Sequence, residues 1–486
     1  MITGNRAQGL MQQGAAALQR GDLVHAADAF AAAAETAPAL ADAWFNLAWV
    51  QRALRRFEEA LGSYGRALEA GVAGPEEAHV NRAAILADHL FRTDEAVADY
   101  ERALTLQPGF APALAGLAQL FEDEGRTEEA KGAYRRLLEA APGNGRALAR
   151  IAMIDLQGGD PGQVAADLTA AMRRGGSTED QAELLFALAS AQDAGERYGE
   201  AFSTLLQANR LSEQLSGRRY DRAAFEQLVS RLIAAFPEAW PETAIDQAAP
   251  IFLCGPFRSG STLTEQILAR HPDVRAGGEL EAVPAIAAGL QPYPEAILQL
   301  PADLLDQLRA AYRAEAALVP GAGRRTTDKR CDNFRHIGLI QTLFPAAPIV
   351  HTSRHPLDTL VSTLFLRFGD GVSYGHRLED AAHQAIQHHR LMQHWRRIMP
   401  GRIHDFSYDA LVREPEAALR PLAGFLQLSW DDRLLRPAQA GTVRTASNWQ
   451  VRQPLHARSS GRWRHYAAPL EPVRRMLEAA GVPLPD

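Results

Sequence analysis

The hydrophobic pattern changes character once along this chain. Through the first half, small and apolar residues recur with helical spacing, and the spacing itself repeats: Ala26, Ala60, Ala96 and Ala130 stand 34 to 36 residues apart. Each is followed four residues later by an aromatic, Phe30, Tyr64, Tyr100 and Tyr134, and Pro38, Pro108 and Pro142 close three of the four units. Positions four apart share one helical face, so each pair predicts a seam of one small and one large side chain against which a neighbouring helix packs. Trp44, Leu47 and Ala48 mark the first helix of the second unit. In the second half, short runs break at turns and restart as helices: Ile251 to Cys254, Ala347 to Arg354 and Arg402 to Tyr408, with a further short strand expected just before Lys329 in a polar segment. Runs of this length between turn residues predict buried strands. Their alternation with helices over Leu304 to Leu318, His336 to Phe344 and Pro356 to about Phe368 predicts an α/β domain with a central parallel sheet.

The first-half period resembles the tetratricopeptide repeat, a helix-turn-helix unit. The pattern is clear for about four units, from near Ala7 to Leu156, and weaker for two more around Ala165 and Ala201. The resemblance implies an all-α solenoid with a concave surface of the kind that binds peptides. A further helix is expected over Tyr220 to Phe236, and Pro237, Pro241 and Pro250 around Glu242 to Gln247 read as a linker. The expected organisation is a helical array over 1–215, a helix and linker over 216–249, and the α/β domain over 250–486.

Composition sharpens this division. The chain has 486 residues with a net charge of −7, but residues 245–486 carry 28 Lys+Arg against 24 Asp+Glu, so the acidity belongs to the first half and an anionic ligand to the second. Cys254 and Cys331 are the only cysteines, too few for a disulfide framework or a zinc site, which points to a reducing compartment. No apolar run reaches the length of a membrane span and no signal-peptide core follows a basic start, so a cytoplasmic protein without a membrane contact is expected. Lys131 and Lys329 are the only lysines in an arginine-rich chain, which singles out Lys329, just after its expected short strand.

Candidate chemistry concentrates after the Ile251 run. Gly255-x-x-x-x-Gly260-Ser261-Thr262 reads as strand, phosphate loop, helix, with unpaired backbone N–H groups at the helix start. It departs from the nucleotide-hydrolase loop, because Ser261 stands where that motif requires lysine and the charge sits on Arg258 instead. A planar guanidinium suits a multi-oxygen anion. A kinase or nucleotide hydrolase is the rival, and it lacks its loop lysine and its second-strand aspartate. Downstream, Glu279 and Glu281 follow two glycines and either could serve as a general base. Arg354 ends the second strand and Ser362 follows two helical turns later. The segment from Ser447 to Arg464, rich in Arg, Ser and Trp, reads as a lid over an anion; overall acidity argues against nucleic acid.

Taken together, Pro250 to Leu470 resembles the PAPS-dependent sulfotransferases, tyrosylprotein sulfotransferases above all. The resemblance implies that Arg258, Ser259, Gly260, Ser261 and Thr262 bind the 5′-phosphosulfate, that Arg354 and Ser362 bind the 3′-phosphate, and that Tyr408 contacts the cofactor. It favours Glu279 as the base and implies that Lys329 is catalytic, with Arg258 and Ser447 assisting; Arg462 stands where the family has a terminal lysine. It implies 3′-phosphoadenosine 5′-phosphosulfate as co-substrate, no metal, and a protein or peptide tyrosine as acceptor. A carbohydrate or small-molecule hydroxyl, or a non-catalytic repeat scaffold, are the alternatives. For the repeats, acceptor recruitment, packing over the active site and homodimer formation all stay open.

Overall fold

Phe30, Tyr64, Tyr100 and Tyr134 are at most 5% exposed, and the alanine four residues before each is fully buried. In the computed structural model, which describes residues 2–241, 243–436 and 459–485, the contacts define two units, Met1–Ile151 and Ala152–Asp486. The first is built of paired helices: α1 (Ile2–Gln19), α2 (Leu23–Thr36), α3 (Ala41–Ala53), α4 (Phe57–Glu69), α5 (Pro75–Asp88), α6 (Thr93–Leu106), α7 (Ala111–Asp123) and α8 (Thr127–Ala140), followed by α9 (Gly145–Asp155). The recurrent pairs lie on α2, α4, α6 and α8 and face the partner helices, as the seam predicts. Phe30 fills the space of the missing side chain at Gly14 on α1, where a Cβ would come within 2.6 Å of its ring. The prolines Pro38, Pro108 and Pro142 follow the C-caps of α2, α6 and α8 and stop those helices.

The turn inside each pair has its own period. Gly21, Arg55, Phe91 and Gly125 all adopt left-handed backbone, with φ of 76°, 62°, 56° and 74°. Two of the four are not glycine, so the hairpin geometry imposes this conformation on side chains that disfavour it.

The second unit opens with α10 (Pro161–Arg173), α11 (Thr178–Ala194), α12 (Tyr198–Ser216) and α13 (Arg222–Ala235). Its sheet has five parallel strands in the order β2-β3-β1-β4-β5. They are β1 (Ile251–Cys254), β2 (Val274–Arg275), β3 (Arg325–Lys329), β4 (Ile349–Ser353) and β5 (Ile403–Ser407). Between and after them run α14 (Ser261–Leu268), α15 (Ala282–Gly289), α16 (Ala302–Ala317), α17 (Ile337–Leu343), α18 (Pro356–Leu364), α19 (Leu378–Ile398), α20 (Tyr408–Arg413), α21 (Pro415–Phe425) and α22 (Ala467–Ala479). Alternate residues of β1 enter opposite layers, as strand geometry requires. Phe252 and Cys254 join a core with α13, α16, α17 and α19, whereas Ile251 and Leu253 join one with α14 and α21.

A third core unites helices on either side of the linker: Leu185, Phe186 and Leu205 pack with Leu357, Leu360, Tyr466 and Leu470. Polar ties reinforce it. Asn209 Nδ2 donates to the Leu364 carbonyl at 2.9 Å, and Arg367 reaches Glu183 at 2.6 Å and Glu179 at 3.0 Å.

β1, β4, β5 and most helices lie where the hydrophobic pattern predicts them, and β3 takes in Lys329 rather than stopping before it; the two-residue β2 is not among the expected strands. α18 is shorter than expected, ending at Leu364, and the 21-residue α19 is unanticipated. The histidines and glutamines of α19 interrupt its apolar seam of Leu391, Met392, Trp395 and Ile398, which is nevertheless at most 2% exposed. Among the described residues no helix is long and apolar enough to cross a membrane.

Candidate active site

The strand order brings the candidate residues to one edge. β3, β1 and β4 are neighbours, and at their carboxyl ends stand Lys329, the loop Gly255–Gly260 and Arg354. The carboxyl edge of an open parallel sheet is where such folds bind ligands.

The loop is tied down from both sides. Gly255 N–H donates to the Cys331 carbonyl at 3.3 Å, and Ser259 Oγ lies 2.7 Å from Thr352 Oγ1 on β4, which in turn donates to the Cys254 carbonyl at 3.1 Å. Ser261 Oγ lies 3.6 Å from Cys331 Sγ. α14 begins at Ser261, and its first in-helix bond runs from Thr264 N–H to the Gly260 carbonyl at 2.9 Å, so the N–H groups of Ser261 and Thr262 precede the helical ladder. At Gly260 the ring of Tyr408 approaches to 2.7 Å of where a Cβ would be, so only glycine fits beneath it. Arg258 holds a left-handed backbone, φ 71°, an outlier of the kind that clusters at ligand-binding loops.

Positive charge converges here. Arg258 Nε donates to Ser362 Oγ at 2.9 Å, and Arg354 donates to the Arg258 carbonyl at 3.4 Å while its guanidinium lies 5.1 Å from the Tyr408 ring centroid. Burial, then the neighbouring charges of Arg354 and Arg462, push Arg258 down to about 10. Arg354 is likewise lowered by burial, with Arg462 acting in the same direction. Two half-buried guanidiniums this close together suit a ligand with several anionic oxygens.

Arg462 also has protein partners. It meets Asp193 of α11 at 2.7 Å and lies 4.0 Å over the ring of Phe365. Its segment is strapped down by carboxylates that the sequence did not single out. Asp358 of α18 accepts from the backbone N–H groups of Gly461 at 2.6 Å and Trp463 at 2.7 Å, and Asp409 accepts from Ser460 Oγ at 2.5 Å and His355 N–H at 2.9 Å. The Ser459 carbonyl accepts from Arg354. Ser447 lies outside the described residues.

The second cluster is an ion pair. Lys329 Nζ lies 2.5 Å from Glu279 Oε1; the lysine side chain is 1% exposed and the glutamate 43%. Burial alone would lower the ammonium, but Glu279 and Glu265 outweigh it and hold it above its ordinary value. Glu281 faces elsewhere, 2.7 Å from Arg330, so geometry separates two carboxylates that position along the chain leaves equal. Glu265 on α14 was not singled out either. Its signal was slight, the one charged residue in Ser-Thr-Leu-Thr-Glu-Gln-Ile-Leu, one helical turn beyond Ser261. Cys331 links the two clusters, its backbone bonded to the loop and its thiol raised to about 11, chiefly by burial. Among the described residues no group of His, Cys, Asp or Glu is arranged to hold a metal ion.

Comparison with known proteins agrees with this architecture. Residues 250–432 match the model of the sulfotransferase family, and residues 43–78 and 90–154 match tetratricopeptide-repeat models. An uncharacterized protein of Aquifex aeolicus (strain VF5) is 34% identical over 309 residues, 60% of this chain and 40% of its own length. Protein-tyrosine sulfotransferase 1 of Danio rerio is 25% identical over 235 residues, 44% of this chain and 65% of its own. The chain thus spans less than two thirds of the length of both curated relatives. Among solved structures, the sulfotransferase domain of the Synechococcus PCC 7002 olefin synthase is 21% identical with a TM-score of 0.36, covering 51% of this chain and 99% of its own. A tetratricopeptide repeat protein from Parabacteroides merdae ATCC 43184 is 20% identical with a TM-score of 0.36, covering 48% and 87%. By the family models, then, the chain joins a stretch similar to tetratricopeptide repeats to one, residues 250–432, similar to the sulfotransferase family.

Proposed function

We propose that this protein transfers the sulfuryl group of 3′-phosphoadenosine 5′-phosphosulfate to a tyrosine hydroxyl of a protein or peptide. The observation that carries the donor is the convergence of Arg258 and Arg354 at the carboxyl edge of the sheet, Arg258 on Ser362 Oγ at 2.9 Å and Arg354 on the Arg258 carbonyl at 3.4 Å beside the Tyr408 ring. The loop and the start of α14 would hold the phosphosulfate, with Arg354 and Ser362 on the 3′-phosphate and Tyr408 beside the nucleotide. The repeats, over 1–215 with 216–249 as connector, would recruit the acceptor; repeats of this kind and the named function of the zebrafish relative favour a protein tyrosine over a sugar. The two free, buried thiols favour a cytoplasmic setting.

In this reading Glu279 takes the proton of the acceptor hydroxyl as its oxygen bonds to sulfur, and the bond from sulfur to the 5′-phosphate oxygen breaks. Transfer of this kind passes through a loose, in-line transition state in which positioning and charge stabilisation dominate. Protonation of Glu279 cancels one half of its ion pair with Lys329 and so frees the ammonium to meet charge on the departing oxygen. Arg258 meets charge on the sulfuryl oxygens, and Ser447, outside the described residues, would assist it. Incubation with sulfur-labelled donor and tyrosine-containing peptides tests the reading: label on tyrosine supports it, and failure to bind adenosine 3′,5′-bisphosphate refutes it.

A further inference from the structure

The loop that carries Glu279 is gripped at three polar backbone atoms just ahead of it. Gly277 N–H donates to Thr327 Oγ1 at 3.0 Å, Gly278 N–H donates to Glu265 Oε1 at 2.9 Å, and the Gly278 carbonyl accepts from Lys329 N–H at 2.7 Å. The Thr327 hydroxyl donates to the same Glu265 oxygen at 2.6 Å. A Cβ at Gly277 would collide with the Thr327 carbonyl and lie 2.8 Å from Thr326 Cγ2, so loop and strand are in direct backbone contact. One carboxylate oxygen on α14 therefore ties the helix of the phosphate loop, the strand ending in Lys329 and the turn from which Glu279 projects.

Glu265 is 2% exposed, and a buried carboxylate is costly without compensation. Burial raises its pKa, while Lys329 and the two donated hydrogen bonds favour its charged form. Lys329 for its part faces Glu279 from the loop after β2, Glu265 from α14 and Cys331 from just beyond its own strand. Once Glu279 is protonated, Glu265 is the remaining carboxylate among these groups. An ammonium that is 1% exposed would otherwise be left without a counter-charge at the moment it is needed.

We propose that Glu265 is a positioning residue for sulfuryl transfer: it fixes the turn that aims Glu279 and supplies the counter-charge that Lys329 keeps when Glu279 takes a proton. The inference rests on the sulfotransferase reading above.

Glu265→Gln keeps an oxygen able to accept both hydrogen bonds and removes the charge; Glu265→Ala removes both. With Lys131 and Lys329 the only lysines, side-chain NMR of the lysine-labelled full chain follows the Lys329 ammonium directly. We expect Glu265→Gln to shift the Lys329 titration to lower pH and to lower kcat about tenfold, and Glu265→Ala to lower kcat about a hundredfold, the scale of a misplaced base. Affinity for adenosine 3′,5′-bisphosphate should stay within about twofold in both. If Glu265→Ala fails to fold, the isosteric Glu265→Gln carries the test. A Glu265→Gln protein with wild-type kcat and wild-type Lys329 titration reduces Glu265 to a structural tie and overturns the inference. Wild-type protein that binds no adenosine 3′,5′-bisphosphate overturns the donor reading instead, whatever Lys329 does.

Discussion

Arg258 Nε donates to Ser362 Oγ across 2.9 Å, joining the loop after β1 to the second turn of α18. The two residues lie 104 positions apart, and Arg354, at the start of the connection into α18, completes the cluster. Arg354→Ala should weaken binding of adenosine 3′,5′-bisphosphate by about 10- to 100-fold, the worth of a charge-assisted hydrogen bond or two. Titration calorimetry measures it; unchanged affinity would remove Arg354 from the site.

Glu279 and Lys329 should separate from this group in their kinetics. Glu279→Ala is expected to lower kcat by about a hundredfold or more while leaving bisphosphate affinity nearly intact, as removal of a base does. Equal losses in binding and turnover would instead place Glu279 among the donor ligands.

The strap from Ser459 to Trp463 depends on Asp358. Its carboxylate accepts two backbone N–H bonds and is 1% exposed, so Asp358→Ala leaves both donors unpaired and should cost about 2–4 kcal/mol of stability. It should also weaken bisphosphate binding, because Arg462 rides on the same segment. Loss of stability with full ligand affinity would show that Arg462 does not reach the anion.

Asp328 makes a pH prediction. Burial pushes its carboxyl up to about 7, against the opposing hydrogen bond from Asn333 at 3.2 Å. A carboxyl raised above its unfolded value binds more protons in the folded state, so stability falls as pH rises from about 4 to about 7 and levels off beyond. Asp328→Asn should flatten that slope, which spans on the order of 4 kcal/mol. Thermal unfolding from pH 4 to pH 8 reads it, and an identical slope in the variant would contradict the assignment.

Arg55 tests the repeat turns. It holds φ 62° where the equivalent turns use Gly21 and Gly125. Arg55→Gly should relieve left-handed strain and stabilise the array by about 0.5–1 kcal/mol. A lower unfolding midpoint would mean that the contact of Arg55 over Phe57, at 5.4 Å, outweighs the strain.

The sequence alone determined what depends on neighbours in the chain. The small-plus-aromatic seam from Ala26 to Tyr134 specifies paired helices because side chains four apart must share a face. The run Ile251 to Cys254, breaking into Gly255 and Gly260, specifies strand, loop and helix because few residues accept those turns. Tertiary structure decided what depends on distant partners. Glu265 became an internal carboxylate through Thr327, 62 residues away, and Arg462 met Asp193 across 269. A carboxylate in a sequence looks the same whether it will be solvated or enclosed, and only the packing of β3 against α14, and of α11 against the last described segment, enclosed these two. The same holds for Glu279 and Glu281: they are two positions apart and equal as chemistry, and the strand order chose between them by setting Lys329 beside one and Arg330 beside the other.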